Sequence, residues 1–245
     1  MTDVPESHPR FTSLRIRDAM ATGVEIGIAS VHGLIAHGRG EAFDYLIGEK
    51  THPFAERAIH ASAAMLLLAE HAVISVNGNT AALVPDDLVA LGRILNAPLE
   101  VNIFHASEVR EEAIRRHLLA HGAPEVLMPT KGAELSYLDS NRKFVHPEGI
   151  LRADVVFVPL EDGDRCEALR QMDKDVVTVD LNPMSRTARR ASATIVDNVV
   201  RALPLLIQEL KALRKVTAAV LKKVVSEYRN ECVLDGAREW VRKDH

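Results

Sequence analysis

Ala153-Asp154-Val155-Val156-Phe157-Val158-Pro159-Leu160, followed past Glu161-Asp162-Gly163-Asp164 by Asp175-Val176-Val177-Thr178-Val179-Asp180-Leu181, decides the fold of this chain. Each run is apolar and β-branched on successive positions rather than alternate ones, as in a strand buried on both faces. Asp164–Met172 between them reads as a helix. Strand, helix and strand within about thirty residues make a βαβ unit, whose two strands lie parallel.

The same alternation continues outward. Ala72–Val76 is a short β-branched run closed by Asn77-Gly78-Asn79. Pro85–Asn96 reads as a helix, with Pro85 near its start and Asp86 and Asp87 in the first turn, where proline and acidic residues are favoured. Leu99–Phe104 reads as a strand, Ser107 as the N-cap of a helix to His121, and Glu125–Met128 as a third strand. Ala193–Val196 precedes a long helix over Asn198–Arg214. The fold class is therefore α/β, a Rossmann-like parallel sheet covered by helices. The first seventy residues read as helical, with segments Arg15–Ile28 and Ala55–Glu70. Gly33, Gly38, Gly40 and Gly48 punctuate the stretch between, which predicts several shorter helices. Thr217–Lys243 reads as one or two C-terminal helices. One domain over 1–245 is expected, with a helical region at 1–70, a core at 71–214 and C-terminal helices at 215–245. Pro129–Gly149 is polar and aperiodic, and reads as a long loop, either an active-site lid or disordered.

Composition narrows the class of protein. With 245 residues and 47% hydrophobic content the chain can bury one large core, and 4% aromatics leaves that core to aliphatic side chains. No run of about 18 apolar residues offers a membrane span. Met1–Arg10 is polar and carries Pro5 and Pro9, unlike a signal peptide. Cys166 and Cys232 form no C-x-x-C pair, and one disulfide between them stays open. A soluble, cytoplasmic protein is expected. The net charge of −4, with 30 basic residues dispersed among 34 acidic ones, argues against a nucleic-acid partner.

Ligands of open parallel sheets sit outside the carboxyl ends of the strands. That rule selects Asn77-Gly78-Asn79-Thr80, Glu161-Asp162-Gly163-Asp164, the segment Asp180-Leu181-Asn182-Pro183-Met184-Ser185-Arg186-Thr187, and Asp197-Asn198. Such residues hold ribose, phosphate or hydrated Mg²⁺, and they equally form turns and caps. Asn77-Gly78-Asn79 also reads as a turn needing positive φ, Asp162-Gly163-Asp164 as a loop and cap, and Asp197-Asn198 as a cap. The Asp180 segment is the most specific: Asn182-Pro183 looks like a helix start, and Arg186 can reach an anion held there. Arg15, Arg17 and Arg39 are further basic candidates, and Arg39 between Gly38 and Gly40 can bind phosphate or form a surface ion pair. Gly48-Glu49-Lys50-Thr51 is no P-loop, and there is no G-x-G-x-x-G. His32 with His37, or His117 with His121, lack the companions of a zinc site, so no metal ligands are expected.

Taken together, His8-Pro9-Arg10-Phe11, Ser13-Leu14-Arg15-Ile16-Arg17, the run Gly33 to Glu49, Ser75 to Leu83, Leu160 to Arg165, Asp180 to Ala188 and Thr194 to Asn198 resemble archaeal phosphopantothenate synthetases, also called 4-phosphopantoate–β-alanine ligases. The resemblance is collinear over nearly the whole chain and weaker beyond Leu213 and in Pro129–Gly149. It implies a Rossmann-like homodimer of coenzyme A biosynthesis. ATP, with Mg²⁺, activates 4-phosphopantoate as an acyl adenylate, and β-alanine attacks to give 4′-phosphopantothenate and AMP. The ATP-contacting positions it implies are Arg17, Arg39, Asp180, Leu181, Asn182, Arg186, Thr187, Asp197 and Asn198. Attack of a carboxylate on a phosphate brings anions together, and Arg39, Arg17 and Arg186 are the candidates for stabilising that charge in catalysis. Asn77, Gly78 and Asn79 remain candidates for substrate binding, and His37, Asp162 and Asp164 for the general base. The alternative is a non-enzymatic, nucleotide-binding regulatory module; a kinase, lacking a phosphate loop, is weaker.

Overall fold

The computed structural model describes residues 5–8, 10–104 and 106–243. Met1–Val4 of the polar N-terminus, Pro9 of the His8-Pro9-Arg10-Phe11 motif, and the ends of the 1–245 and 215–245 spans lie outside the described residues.

Eight strands and eleven α-helices are described. The helical first region is α1 (Phe11–Glu25), α2 (Val31–Leu46) and α3 (Pro53–Leu68). Then come β1 (Ala72–Val76), α4 (Gly78–Leu83), α5 (Pro85–Leu95), β2 (Leu99–Val101), α6 (Glu108–Ala120) and β3 (Val126–Leu127). A hairpin of β4 (Thr130–Glu134) and β5 (Phe144–Val145) follows, then β6 (Val155–Phe157), α7 (Gly163–Gln171), β7 (Asp175–Val179), α8 (Arg186–Arg190), β8 (Ala193–Ile195) and α9 (Val199–Leu213). Two C-terminal helices, α10 (Ala218–Glu227) and α11 (Asn230–Arg242), complete the fold.

The large sheet is parallel in the order β3-β2-β1-β6-β7-β8. This is the Rossmann arrangement, in which the strand order reverses between β1 and β6. Alternation along the strands divides two cores. Ile74, Val76, Val155, Phe157, Val177 and Val179 face the larger one with α3, α5 and α9. Val73, Val156, Val158 and Val176 face the other. Register supports the division, since Val73 pairs with Val156 and Val156 with Val176. Each such fully buried side chain contributes roughly 1.5–3 kcal/mol by leaving water. Among the described residues no helix is long and apolar enough to cross a membrane.

Two local expectations are corrected. Gly33, Gly38 and Gly40 do not break the chain: all lie inside α2, which Ser30 caps by accepting from the Gly33 N–H at 3.0 Å. Only Gly48 stops it, at φ +85° just past the C-cap. The second correction concerns Pro129–Gly149, which is no extended loop. It holds the antiparallel β4–β5 hairpin, a 3₁₀ turn at Asn141–Lys143, and the start of a wide turn over Pro147–Leu151. The hairpin takes the place of a crossover helix between β3 and β6, and Ala133, Leu135 and Val145 pack it into the smaller core. Its tip is Tyr137, 70% exposed and at φ +64°. Glu100 of β2 anchors the far side of this segment, accepting from the His146 and Ile150 N–H groups at 2.8 and 2.6 Å. A Cβ on Gly149 would meet that carboxylate at 1.9 Å, so the close approach excludes a side chain there. The disulfide left open between the two cysteines is not formed: both are free, Cys166 buried and Cys232 exposed. Burial pushes the Cys166 thiol up to about 12.

The C-terminal helices pack on α3. Trp240 of α11 meets His52, at the start of α3, with ring centroids 4.2 Å apart.

Candidate functional site

The carboxyl ends of β1 and β6 are joined by one side chain. Asn77 caps α4, accepting from the Thr80 N–H, while Thr80 Oγ1 accepts from the Asn77 N–H. The Asn77 amide then donates to the carbonyls of Pro159 and Leu160 at 3.0 and 3.3 Å. Asn79 donates to the Gly33 carbonyl at 2.8 Å and so ties α4 to α2. Gly78 is not a turn of positive φ; it opens α4 against the chain before α2, where a Cβ would sit 2.2 Å from the Ile28 carbonyl oxygen. All three residues shape a cavity wall, and both asparagine amides are spent on backbone carbonyls.

Two cavities open at this end of the sheet. The first, of about 330 Å³, lies outside β1 and β2, with Arg39, Asn77, Asn79, Phe104, Arg110 and Arg142 in its lining. The second, of about 490 Å³, lies outside β6, β7 and β8. It has a polar side of Asp180, Asn182, Arg186 and Thr187, and an apolar side of Phe43, Leu83, Leu181 and Val199. Ala36, Arg39, Asn79, Leu160, Glu161 and Asp162 line both, so these residues form the boundary.

Under the boundary lies a buried charge network. Glu161, whose side chain is fully buried, accepts from Arg142 and Arg165. Arg142 also bonds Asp162 and donates through Nε to Asn102 Oδ1 at 2.9 Å. Asp162 caps α7 by accepting from the Arg165 N–H at 3.0 Å, the cap role its sequence suggested. Burial works to raise the Asp162 pKa, but the Arg142 charge and these bonds outweigh it and hold the carboxyl below its usual range. Thr187 Oγ1 donates to the Glu161 carbonyl at 3.0 Å.

The Asp180 segment is a compact turn, and Asn182-Pro183 does not start a helix. Asn182 Oδ1 accepts from the Met184 N–H at 2.9 Å, while Asp180 accepts from the Asn182 N–H and the Ser185 hydroxyl. The helix start is Ser185, which caps α8. Burial raises the Asp180 pKa against these two bonds.

The arginines nominated from sequence are in unlike states. Arg17 bonds Glu41 at 2.7 Å and lines neither cavity. Arg186 pairs with Asp164 at the cavity mouth. Arg39 makes no hydrogen bond or ion pair among the described residues, although it stands on the boundary. It is the arginine of the boundary that no protein carboxylate claims among the described residues.

Asp197 and Asn198 divide similarly. Asn198 lines the second cavity and caps α9, whereas Asp197 is fully buried and lines neither cavity. Asp197 accepts from Thr51 Oγ1 at 2.6 Å and from Arg201, which also pairs with Asp44 of α2. Asn198 Nδ2 donates to Asp44 at 2.7 Å.

The three candidate bases also separate. Asp162 and Asp164 are held by Arg142 and Arg186. His37 lines the second cavity, and burial, aided by Arg17 and opposed by Glu41 and Asp44, lowers its pKa and keeps it neutral. Its Nε2 is buried without a partner among the described residues.

Among the described residues no three His, Cys, Asp or Glu side chains gather as a metal cage. Mg²⁺ commonly binds through substrate phosphates and one or two carboxylates. The donor set fits that mode: Glu161 and Asp162 line both cavities, and of the two only Asp162 is partly exposed.

Sequence reasoning missed Asn102, Arg110, Arg142, Asp44 and Arg201. Arg142 sat in the segment read as a loop, and its signal would have been an isolated arginine in a polar hairpin. Asp44 and Arg201 lie on ordinary helix faces, without any signal in spacing.

A model of the phosphopantothenate/pantothenate synthetase family matches residues 54–244. Three curated relatives named 4-phosphopantoate–β-alanine ligase are similar along nearly their full length. The one from Methanosarcina mazei is 50% identical over 237 residues, 97% of this chain and 93% of its own. Those from Thermococcus kodakarensis and Thermococcus onnurineus are 51% and 50% identical, each over 94% of this chain and 88% of their own.

Proposed function

The chain belongs to the phosphopantothenate/pantothenate synthetase family, and from that premise we propose how its two cavities divide the work of 4-phosphopantoate–β-alanine ligation, the coenzyme A step that the curated relatives are named for. ATP occupies the larger cavity. Phe43, Leu83, Leu181 and Val199 receive the adenine, and Asp180 and Asn182 the ribose. The triphosphate runs towards Arg186 and the boundary. Asp162, with the triphosphate, would hold Mg²⁺, which would neutralise part of the triphosphate charge. In the first step a carboxylate oxygen of 4-phosphopantoate attacks the α-phosphorus and pyrophosphate leaves. In the second the amine of β-alanine, having given up a proton, attacks the acyl carbon and AMP leaves. Both steps bring anions together, so a cation beside the reacting atoms is required. Arg39 is that cation, and its place on the boundary between the two cavities is the observation that carries the reading. Arg17 acts from outside the cavities by holding Glu41 on α2, two residues from Arg39.

We place the chain in the cytoplasm, in keeping with its two unpaired cysteines. A homodimer is supported by α2. Its exposed Val31, Ile35, Ala42, Tyr45 and Leu46 fall within about 100° of one another around the helix, an apolar stripe with Gly38 inside it. Such a stripe suits a second copy of the same face.

Nucleotide product analysis tests the function. ATP, Mg²⁺, 4-phosphopantoate and β-alanine together are expected to yield AMP, pyrophosphate and 4′-phosphopantothenate, and omission of either organic substrate to stop the last. Binding of ATP without consumption would favour a regulatory module, and ADP would favour a kinase.

A further inference from the structure

Gly163 opens α7 directly after the Asp162 cap, although glycine loses more conformational freedom on folding than any other residue. Its backbone does not demand glycine, since its φ is not positive. The reason lies on another element. A Cβ on Gly163 would sit 2.7 Å from the Arg186 Cβ and 2.9 Å from its Cγ, with Arg186 Nε closer still. Backbone position fixes a Cβ, so no rotamer of Arg186 clears that contact. Nor can α8 back away freely. Thr187 Oγ1 donates to the Glu161 carbonyl at 3.0 Å, and the Thr187 carbonyl accepts from buried Cys166 Sγ of α7 at 3.7 Å. The starts of α7 and α8 are thus held edge to edge at the larger cavity, which Gly163, Ser185, Arg186 and Thr187 line together.

The ion pair with Asp164 does not by itself hold Arg186 there. Its side chains are 53% and 66% exposed, and so open a pair contributes little. The stem of Arg186 instead lies across the bare backbone of Gly163. From this geometry we infer that Gly163 is a positioning residue for Arg186: the missing side chain at the start of α7 seats the guanidinium at the mouth of the nucleotide cavity, where the triphosphate meets it. A side chain at 163 turns the arginine out of that seat, and the phosphates then face the cavity with one cation fewer. Local helix preference and ligand binding pull in opposite directions at this position, and binding has decided the residue.

This inference rests on the placement of ATP in the larger cavity, and the test separates the two. Calorimetric titration with ATP and Mg²⁺ compares the parent protein with Gly163→Ala, Arg186→Gly and the double variant. Arg186→Gly is expected to weaken ATP binding roughly 10- to 100-fold, as for loss of a charged hydrogen-bonding group. Gly163→Ala should show most of that loss, at least about 5-fold, with the KM for 4-phosphopantoate within about 2-fold of the parent. In the Arg186→Gly background the same Gly163→Ala should change ATP affinity by less than about 2-fold, because the contact it disturbs is gone. Full ATP affinity in Gly163→Ala or in Arg186→Gly overturns the inference. So does an equal loss from Gly163→Ala in both backgrounds, which would make the glycine's role independent of Arg186. Should Gly163→Ala alone fail to fold, a folded double variant supports the contact and an unfolded one overturns it. If the parent binds ATP but forms no AMP, the ligase reading has failed and the titration still decides the seat. If the parent binds no ATP, both fall.

Discussion

Two buried ion networks flank the site, and they are built on opposite arithmetic. The one under the boundary sets Arg142 and Arg165 against Glu161 and Asp162, two charges for two. The one beside α9 sets a single Arg201 against Asp44 and Asp197, with Thr51 and Asn198 as neutral donors making up the deficit. The balanced network can sit at the cavity floor without cancelling Arg39 above it. The unbalanced one touches the cavity only through Asn198, and its work is to hold α2 against α9. One network frames the chemistry; the other fixes the helix that carries Arg39.

Arg201→Leu should break this contrast most severely. It leaves two buried carboxylates with no cation, which costs roughly 3–5 kcal/mol. Thermal denaturation should show a fall on the order of 10 °C, and a variant as stable as the parent would show that the network is dispensable. Arg39→Ala tests the opposite case, a cation outside both networks. Turnover should fall about a hundred- to thousand-fold with the melting temperature unchanged; near-normal turnover would remove Arg39 from the chemistry.

Arg142→Gln comes next. Glu161 keeps Arg165, so the expected cost is smaller than for Arg201, roughly 1.5–3 kcal/mol. The KM for the acid should rise as well, because the boundary residues lose their anchor. Stability loss without any kinetic change would mean that the network supports only the fold.

The smallest expected effect is a slope. Burial pushes Glu100 from 4.5 up to about 7, against the His146 and Ile150 N–H groups and the Arg165 charge facing it. Between those pH values the folded chain holds this proton more tightly than the unfolded one. Glu100 therefore makes stability fall as pH rises across that window, and adds nothing further above it. Denaturant midpoints from pH 5 to 8 should show the parent losing ground relative to Glu100→Gln by at most about 1.4 kcal/mol per pH unit. Parallel pH curves would rule out the titration.

Much of the sheet was legible because its signals are local. Ala72–Val76 is bounded as its β-branched run predicts, and the caps at Ser107, Asp162 and Asn198 stand where the residue types placed them. α2 misled because glycine weakens a helix without ending one, and long-range packing decides the outcome: Asn79 takes the Gly33 carbonyl and Asn198 and Arg201 take Asp44. The hairpin was illegible because its anchors, Glu100 on β2 and Asn102 just past its end, are some forty residues away in sequence. The strand-end rule found the cavity floor, since it follows from topology alone. It could not show which arginine would be left without a protein partner, because Arg17 and Arg39 look alike until Glu41 is seen to claim only the first.

The hairpin between β3 and β6 has a practical corollary for anyone wishing to report on this protein. Its tip at Tyr137 is solvent-facing and already left-handed, while its hold on the sheet is concentrated at Arg142, Phe144, His146 and Ile150. A fluorescent tag or a short foreign peptide spliced at that tip would ride on a stalk clamped at its base. It would register changes at the cavity floor through Arg142 without standing in the path of either substrate.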